Sequence, residues 1–323
     1  MKCIQFHEHG GPEVLRVEDL DPVRPAPGEV QVRHTAIGLN YIDVYDRTGL
    51  YPGDLPGCPG REAAGVITAL GRNVRGFRVG DRVAYVHSAP GAYCEVRNLP
   101  AVRLVKIPKG IAEEQAAALM LKGLTAQFLL RRTHRVQRGE PILVHAAAGG
   151  VGLLLTQWAK ALGAHVIGVV GSEAKAGLAR KHGCRHVLLS GHGPLAPQVR
   201  RLTRGAGVAV VYDSVGRDTF MDSLDCLRPL GLMVSFGNAS GPVPPIAPLE
   251  LSRRGSLFLT RPTLFNYIAS REQLDAAARE LFAAVRKGVL RVRIGQRYPL
   301  TEAARAHRDL EARRTTGSTV LMP

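Results

Sequence analysis

A run of small residues follows an apolar stretch near the middle of the chain and has the composition of a phosphate-binding loop. Residues 146–152 read Ala-Ala-Ala-Gly-Gly-Val-Gly, after the apolar run 142–145 and before the helical pattern 153–160. Small residues between a strand and a helix let the backbone turn sharply and approach a pyrophosphate at the positive end of the helix. The spacing is Ala-x-x-Gly-x-x-Gly rather than the usual Gly-x-Gly-x-x-Gly, but its strand-to-helix context indicates a dinucleotide site. The binding residues predicted in this loop are Ala146, Gly149, Gly150, Val151 and Gly152.

The end of the next apolar run, residues 165–170, bears on which dinucleotide fits. NAD sites usually carry Asp or Glu about 20 residues after the loop, where it holds the ribose 2′-OH. Gly171 has that place, and Ser172 and Lys175 follow it. Because no acid is there to repel a 2′-phosphate, while a hydroxyl and a cation are near, the sequence favours NADPH. Glu173 argues against this, unless it only complements the dipole of the following helix.

The elements that would position this loop are apolar runs alternating with helical segments between residues 141 and 259. The runs are residues 142–145, 165–170, 187–189, 208–212, 232–236 and 257–259. Near-continuous Val, Ile and Leu strands with helices between them are typical of a parallel sheet covered on both faces. We therefore predict an α/β fold with a doubly wound domain built on a six-stranded parallel sheet.

The sequence before residue 120 has a different pattern of apolar and turn-forming residues. Short alternating stretches at residues 29–34, 65–70 and 80–85 are separated by turns rich in Gly and Pro. This pattern predicts a compact, mainly β domain. Helices are predicted at residues 113–120, 124–132 and 271–287.

The composition argues against membrane-spanning, secreted and nucleic-acid-binding proteins. The chain has 43 Lys and Arg against 27 Asp and Glu, a net charge of +16, and five scattered cysteines without a Cys-x-x-Cys pair. No apolar run reaches the roughly 18 residues of a membrane span, and the N-terminus turns polar too early for a signal peptide. We expect a cytoplasmic protein with free thiols. The basic clusters are short pairs without a nucleic-acid-binding signature, so a solvated basic surface is favoured over nucleic-acid binding, which stays an alternative.

Several segments together resemble the NADPH:quinone oxidoreductases, the zeta-crystallin-like, zinc-free branch of the medium-chain dehydrogenase/reductase superfamily. They are residues 121–125 (Leu-Lys-Gly-Leu-Thr), 145–152, 212–216 (Tyr-Asp-Ser-Val-Gly) and 234–238 (Val-Ser-Phe-Gly-Asn), and the likeness runs from residue 6 to the C-terminus. The resemblance implies a GroES-like catalytic domain at 1–122, a Rossmann domain at 123–264, and a return of 265–323 to the catalytic domain. It also implies a cleft between the domains and a homodimer joined through the outer Rossmann strands.

The same superfamily contains zinc alcohol dehydrogenases, so the residues at their zinc-ligand positions decide whether a zinc ion is expected here. Those enzymes have Cys at the position of Asn40, and their Gly-His-Glu is replaced here by Gly60, Arg61 and Glu62. Their four-cysteine structural-zinc lobe is absent. A zinc site needs several His or thiolate ligands that converge on one point. We therefore expect no metal.

The resemblance also implies the residues of the site. Asn40 lies beside the acceptor, and we expect Tyr45 and Tyr51 to shape the acceptor pocket, which makes these three the candidate catalytic residues. Further cofactor contacts, beside the loop at 146–152 and Gly171, Ser172 and Lys175, are Tyr41, Ile42, Asp43, Val44, Tyr45, Phe128, Ser190, Val215, Gly237, Asn238, Ala239, Ser240, Pro262, Thr263, Leu264 and Arg313. Alternatively, Ile42 and Val44 are ordinary core residues and Asp43 caps a turn.

Two departures from the family pattern affect the predicted cofactor affinity more than the reaction class. Gln127 and Phe128 replace a Tyr-Tyr pair of close relatives, and Ser190 replaces a Tyr against the adenosine. The expected reaction is hydride transfer from NADPH to a quinone. The alternatives are an NADPH-dependent enone or alkenal reductase and, in a different class, an RNA-binding or lens-structural protein of the zeta-crystallin type.

Overall fold

The computed structural model describes every residue from Met1 to Pro323. The strands are β1 (Lys2–Gln5), β2 (Arg16–Asp19), β3 (Glu29–Leu39), β4 (Glu62–Leu70), β5 (Arg82–Val86), β6 (Val96–Pro100), β7 (Leu104–Lys106), β8 (Pro141–Val144), β9 (His165–Val170), β10 (His186–Leu189), β11 (Val208–Asp213), β12 (Leu227–Ser235), β13 (Phe258–Thr260), β14 (Ile294–Pro299) and β15 (Ser318–Met322). The α-helices are α1 (Tyr41–Thr48), α2 (Glu113–Ala117), α3 (Met120–Phe128), α4 (Gly150–Ala161), α5 (Glu173–Lys181), α6 (Leu195–Leu202), α7 (Phe220–Asp225), α8 (Leu249–Arg253), α9 (Leu264–Tyr267), α10 (Arg271–Arg286) and α11 (Ala303–Glu311).

The chain forms two compact units. The first unit contains Met1–Leu124, Tyr267–Gly288 and Val292–Pro323, and the second contains Thr125–Asn266 and Val289–Arg291. None of the helices is long and apolar enough to cross a membrane.

The second unit is built on a six-stranded sheet in the order β10-β9-β8-β11-β12-β13. All neighbouring strands are parallel. The chain starts in the middle at β8, moves outward through β9 and β10, and returns to β11 on the other side. The loops after β8 and β11 therefore leave the sheet in opposite directions, which opens a crevice at their carboxyl ends. The predicted α/β fold with a six-stranded parallel sheet is confirmed.

The first unit contains a seven-stranded sheet in the order β14-β15-β3-β4-β5-β7, with β6 also paired to β3. Strand β3 alternates buried Val30 and Val32 with half-buried neighbours, as expected for a strand with one face on a core. The C-terminal strand β15 pairs antiparallel with the end of β3, with Thr319 opposite Leu39. Because α1 begins directly after β3, the last residues of the chain help to fix the start of that helix.

The helices around residue 120 differ from the prediction. The predicted helix 113–120 ends as α2 at Ala117, and α3 then runs from Met120 to Phe128. A π-helical turn, Leu129–Thr133, follows in place of the predicted continuation to residue 132. The new start at α3 has a non-local cause: the Glu62 carboxylate accepts a hydrogen bond from the Leu121 backbone N–H at 2.5 Å. A side chain of β4 thus satisfies an N-terminal donor of α3.

Candidate active site

The small-residue loop lies at the carboxyl end of β8, and close packing requires glycine at position 152. A Cβ on Gly152 would lie 2.2 Å from the Ala146 carbonyl oxygen. Ala146 itself has a positive φ of 49°, and the Ala147 N–H donates to the Val169 carbonyl at 3.1 Å. Gly149 is the N-cap of α4 and offers no side-chain acceptor, so the first N–H groups of the helix are left for a ligand. This arrangement fits a pyrophosphate.

A buried carboxylate stabilises the strand end beside this loop. One oxygen of Asp213, the last residue of β11, accepts the backbone N–H groups of Val215 at 2.7 Å and Gly216 at 3.1 Å. The other accepts the Ser223 hydroxyl at 3.0 Å, and that hydroxyl is 2.9 Å from His145 Nε2. Burial lowers the pKa of His145, against the opposing charge of Asp213, which favours a neutral imidazole. The network fixes where Val215 lies.

The loops after β11 and β12 are joined to one another. The Ser240 hydroxyl donates to the Val215 carbonyl at 2.9 Å, and the Ser240 N–H donates to the same oxygen at 2.8 Å. A Cβ on Gly237 would lie 2.4 Å from the Ser214 carbonyl oxygen. The structure therefore brings Val215 together with the segment 237–240, which contains Asn238 and Ala239.

The predicted 2′-phosphate residues cluster at the ends of β9 and β10. Ser172 is the N-cap of α5, and its hydroxyl accepts the Lys175 backbone N–H at 3.4 Å. Ser190 follows β10 and donates its N–H to the Val170 carbonyl at 2.9 Å. A Cβ on Gly171 would lie 3.8 Å from the Ser190 hydroxyl, an ordinary contact. A Cβ would therefore fit at 171, and glycine there leaves this strand end without an acidic side chain.

The remaining residues assigned by resemblance are spread over both units. Phe128 ends α3 and is 2% exposed, and its neighbour Gln127 is also buried. Pro262 and Thr263 follow β13, and Leu264 begins α9. Arg313 lies after α11 in the first unit, with a φ of +58°.

A cluster of three tyrosines lies at α1 in the first unit. Tyr41 and Tyr45 are one turn apart on the same helix face, with ring centroids 5.6 Å apart. Tyr45 and Tyr51 meet edge to face at 5.2 Å, and the Tyr51 N–H donates to the Tyr45 carbonyl at 3.2 Å. Tyr45 is buried, whereas Tyr41 and Tyr51 are half-buried. The structure thus brings the two candidate catalytic tyrosines into contact at α1, the helix whose N-cap is Asn40.

Asn40 is held by a buried carboxylate that the sequence analysis did not single out as a site residue. Its Nδ2 donates to Glu62 Oε1 at 2.8 Å, and Lys122 Nζ donates to the same oxygen at 2.9 Å. Glu62 is 0% exposed, and Gly38 lies so close that a Cβ there would be 2.3 Å from this carboxylate. Glu62 is the third residue of the Gly-Arg-Glu motif that begins at Gly60, so its sequence position could have indicated a site residue.

Arg61, at the position of the zinc-binding His, is engaged in an ion pair. Its Nε and Nη2 donate to the two oxygens of Asp46 at 3.0 and 2.6 Å, and both residues are buried. Burial raises the pKa of Asp46, and the Arg61 guanidinium opposes that rise. The structure contains no group of three or more His, Cys, Asp or Glu residues placed to hold a metal ion.

Asp43 is the buried end of a hydrogen-bond chain. Its Oδ2 accepts the Asn40 N–H at 2.8 Å and the Tyr93 hydroxyl at 3.0 Å. The Tyr93 oxygen lies 3.1 Å from His307 Nε2, and Arg47 Nη1 lies 3.1 Å from His307 Nδ1. Because a guanidinium only donates, Nδ1 of His307 accepts and Nε2 carries the proton. These residues are far apart in the sequence and share no local motif, so the hydrogen-bond chain could not be predicted from the sequence.

Asp43 and His307, which both take part in this hydrogen-bond chain, have shifted pKa values. Burial is the main cause that raises the pKa of Asp43 to about 7, and burial with the Arg47 charge lowers the pKa of His307 to about 3. The other oxygen of Asp43, Oδ1, is buried without a hydrogen-bond partner. His307 is therefore neutral at physiological pH, and Asp43 titrates near neutrality.

Comparison with known proteins agrees with this organisation. Residues 26–109 match the family model of the alcohol dehydrogenase GroES-like domain, and residues 150–283 match that of the zinc-binding dehydrogenases. A quinone oxidoreductase of Pseudomonas aeruginosa is 55% identical, over 100% of this chain and 99% of the relative. A 2-haloacrylate reductase of Burkholderia is 46% identical over 98% of each chain.

Among solved structures, the Escherichia coli quinone oxidoreductase complexed with NADPH superimposes with a TM-score of 0.98. It is 49% identical and covers 100% of both chains. The GroES-like and Rossmann-type folds implied by the sequence resemblance are confirmed. The chain belongs to the quinone oxidoreductase family of the medium-chain dehydrogenase/reductase superfamily.

Proposed function

We propose that this protein is a zinc-independent oxidoreductase that transfers hydride from NADPH to a quinone. The observation that carries the proposal is the cradle formed by the loop at 146–152 together with the acid-free strand end at Gly171. Two quinone oxidoreductases, one of them solved with NADPH, support it, because they are 55% and 49% identical to this chain over its whole length. We assign residues 123–264 to the NADPH-binding domain and 1–122 with 265–323 to the catalytic domain, which the two compact units support.

The second unit would hold the cofactor through its strand ends. The N–H groups at the start of α4 receive the pyrophosphate, while Ser172 and Lys175 receive the 2′-phosphate. Val215 and the segment 237–240 meet the ribose and nicotinamide ends. When bound, NADPH supplies a hydride from C4 of its nicotinamide ring. The other residues assigned by resemblance remain part of this proposal.

The first unit would supply the acceptor pocket. The half-buried ring of Tyr51, packed edge to face against the buried Tyr45, offers an aromatic face that suits a flat quinone ring. A phenol O–H can donate to a quinone oxygen as negative charge develops on it. The Asn40 amide, at the N-cap of the same helix, is held by Glu62. These residues therefore orient the acceptor and supply a hydrogen bond, and no residue there forms a covalent bond to it.

Zinc independence is supported by what occupies the ligand positions. The Asn40 amide is bonded to Glu62, and the Arg61 guanidinium is bonded to Asp46 through two hydrogen bonds. A guanidinium stays protonated and has no lone pair to offer a metal. The residues at these positions do not fit a zinc ion.

A second candidate acceptor class is an α,β-unsaturated carbonyl or carboxylate. It is favoured by the likeness to the Burkholderia protein named a 2-haloacrylate reductase. The two classes are distinguished by steady-state NADPH oxidation with a panel of quinones and a matched panel of enones and 2-haloacrylates. We expect the higher kcat/KM with quinones. If no quinone is turned over and the conjugated acceptors are, the second candidate replaces the first.

We further propose a cytoplasmic homodimer of the zeta-crystallin-like type, joined through the outer Rossmann strands. Strand β13 lies at an edge of the sheet, and Phe258 and Leu259 on it are 60% and 39% exposed. Exposed apolar side chains on an unpaired strand edge favour pairing with a second copy. RNA binding, the alternative raised by the net charge of +16, is tested by filter binding over a salt titration.

A further inference from the structure

A groove of about 850 Å³ lies on the first unit, and no residue assigned to the proposed reaction lines it. Its walls are the loop around residues 73–77, the segment 101–108 and one face of α10. All of these residues belong to the first unit. The volume falls within the range of roughly 300–1,000 Å³ that is typical of small-molecule sites.

The floor of the groove is apolar. Val105, Ala278 and Phe282 are buried there, with exposed fractions of 4%, 3% and 5%. Phe77 is half-buried and packs at the border of the hydrophobic core. At the rim, Val102 is 58% exposed. A hydrocarbon or aromatic body placed here would remove the exposed apolar surface of Val102 and Phe77 from water.

The rim of the groove is strongly cationic. Two of its cations are neutralised within the chain, because Lys106 pairs with Asp81 at 2.8 Å and Arg271 pairs with Asp275 at 2.8 Å. The other rim cations, which have no carboxylate within salt-bridge distance, are Arg75, Arg279 and Arg286. The last two are exposed on the same face of α10, two turns apart.

We propose that this groove binds a small amphipathic anion, a hydrocarbon or aromatic body that carries one anionic head group. The body lies on the apolar floor, and the head group is held by the guanidinium groups of Arg279 and Arg286. Arginine suits this role because its planar fork pairs with carboxylate and similar anions through two hydrogen bonds. An uncharged or cationic body of the same size lacks the head-group contact. The proposal does not depend on the proposed reaction.

Calorimetric titration of the full chain with decanoate tests the site, with decylamine and acetate as probes that lack the anion or the body. We expect decanoate to bind and the other two not to bind. The double variant Arg279→Gln, Arg286→Gln should weaken decanoate binding about tenfold or more, since a hydrogen bond to a charged group contributes about 1.5–3 kcal/mol. The matched control is Arg185→Gln, Arg201→Gln, which removes the same charge from exposed positions of the second unit.

The apolar part of the rim is tested separately with Val102→Asp, an exposed position whose change leaves the core intact. It should also weaken decanoate binding, and a photoreactive decanoate analogue should label α10 or the segment 101–108. Equal weakening by the control pair would show a general charge effect and overturn the proposal. Equal binding of decylamine, or labelling elsewhere, would also overturn it. Because none of these readouts uses NADPH turnover, failure here is distinct from failure of the proposed reaction.

Discussion

At the scale of single residues, the site depends on buried charged groups whose partners are far away in sequence. The sequence predicted that Asn40 and Arg61 replace metal ligands. Their partners, Glu62 and Asp46, lie 22 and 15 residues away along the chain. Such pairs are formed by packing between elements, so no local pattern could have shown them. Gly171, Ser172 and Lys175 stand together in the sequence because they lie between the end of β9 and the first turn of α5, and their role toward the 2′-phosphate stays a prediction.

Lys175 tests the cofactor choice. Lys175→Ala should lower kcat/KM for NADPH about ten- to hundredfold and leave that for NADH nearly unchanged, because a charge-assisted contact to phosphate contributes about 1.5–3 kcal/mol. The preference should also shrink as salt rises. Lys181→Ala, at the other end of α5, is the matched control. Equal losses with both cofactors would show that Lys175 does not read the 2′-phosphate.

Tyr45 and Tyr51 test the acceptor pocket. Phenylalanine at either position keeps the ring contact, whose centroids are 5.2 Å apart, and removes only the hydroxyl. Loss of a donor to developing negative charge lowers turnover by about 10²-fold. We expect such a loss in kcat with a quinone for at least one of Tyr45→Phe and Tyr51→Phe. If both variants keep wild-type kinetics, solvent delivers the proton and the tyrosines only pack.

Asp43 predicts a pH dependence of stability. Its pKa is raised from 3.8 to about 7 in the folded chain. The folded chain therefore holds a proton that the unfolded chain has lost, and the resulting stability is present below pH 3.8 and lost as pH rises through about 7. Asp43→Asn removes this titration but retains an acceptor oxygen.

Urea unfolding at pH 5 and pH 8 measures the effect. We expect the free energy of unfolding of the wild type, relative to Asp43→Asn, to fall between these two pH values. Asp21→Asn, at an exposed position, should show no such change. A difference between wild type and Asp43→Asn that is the same at both pH values would contradict the raised pKa.

At the scale of elements, parallel strands were easy to predict and helix ends were not. Strand β9 occupies residues 165–170 as predicted, because a buried parallel strand reads as a continuous apolar run. The break between α2 and α3 was missed because Glu62 of β4 provides the hydrogen-bond acceptor. The pairing of β15 with β3 joins the C-terminal strand to residues 37–39, a contact that local patterns cannot show.

The edge strand β13 gives the prediction at this scale. Phe258→Asp places a charge on the exposed edge and should shift the proposed dimer to monomer in sedimentation velocity runs over a range of protein concentrations. Met221→Asp puts the same charge on an exposed apolar position of α7 and should leave the dimer intact. Dimers that persist with Phe258→Asp would place the interface elsewhere.

At the scale of the whole molecule, the proposed function gives the two units separate chemical roles. The second unit has glycine-lined turns and helix ends that suit phosphates, and the first has aromatic rings at α1 and a hydrogen-bonded amide at the N-cap of that helix. The positions that bind zinc in related dehydrogenases are engaged in hydrogen bonds to Glu62 and Asp46. Together these features support the proposed hydride transfer without a metal.

The most direct test is the rate of NADPH oxidation with a quinone before and after exhaustive chelation, with the metal content of the same samples determined. We predict no stoichiometric zinc and the same kcat/KM in both samples, because Asn40 and Arg61 stand where zinc ligands would be. One tightly bound zinc per chain whose removal abolishes turnover would contradict zinc-independent hydride transfer.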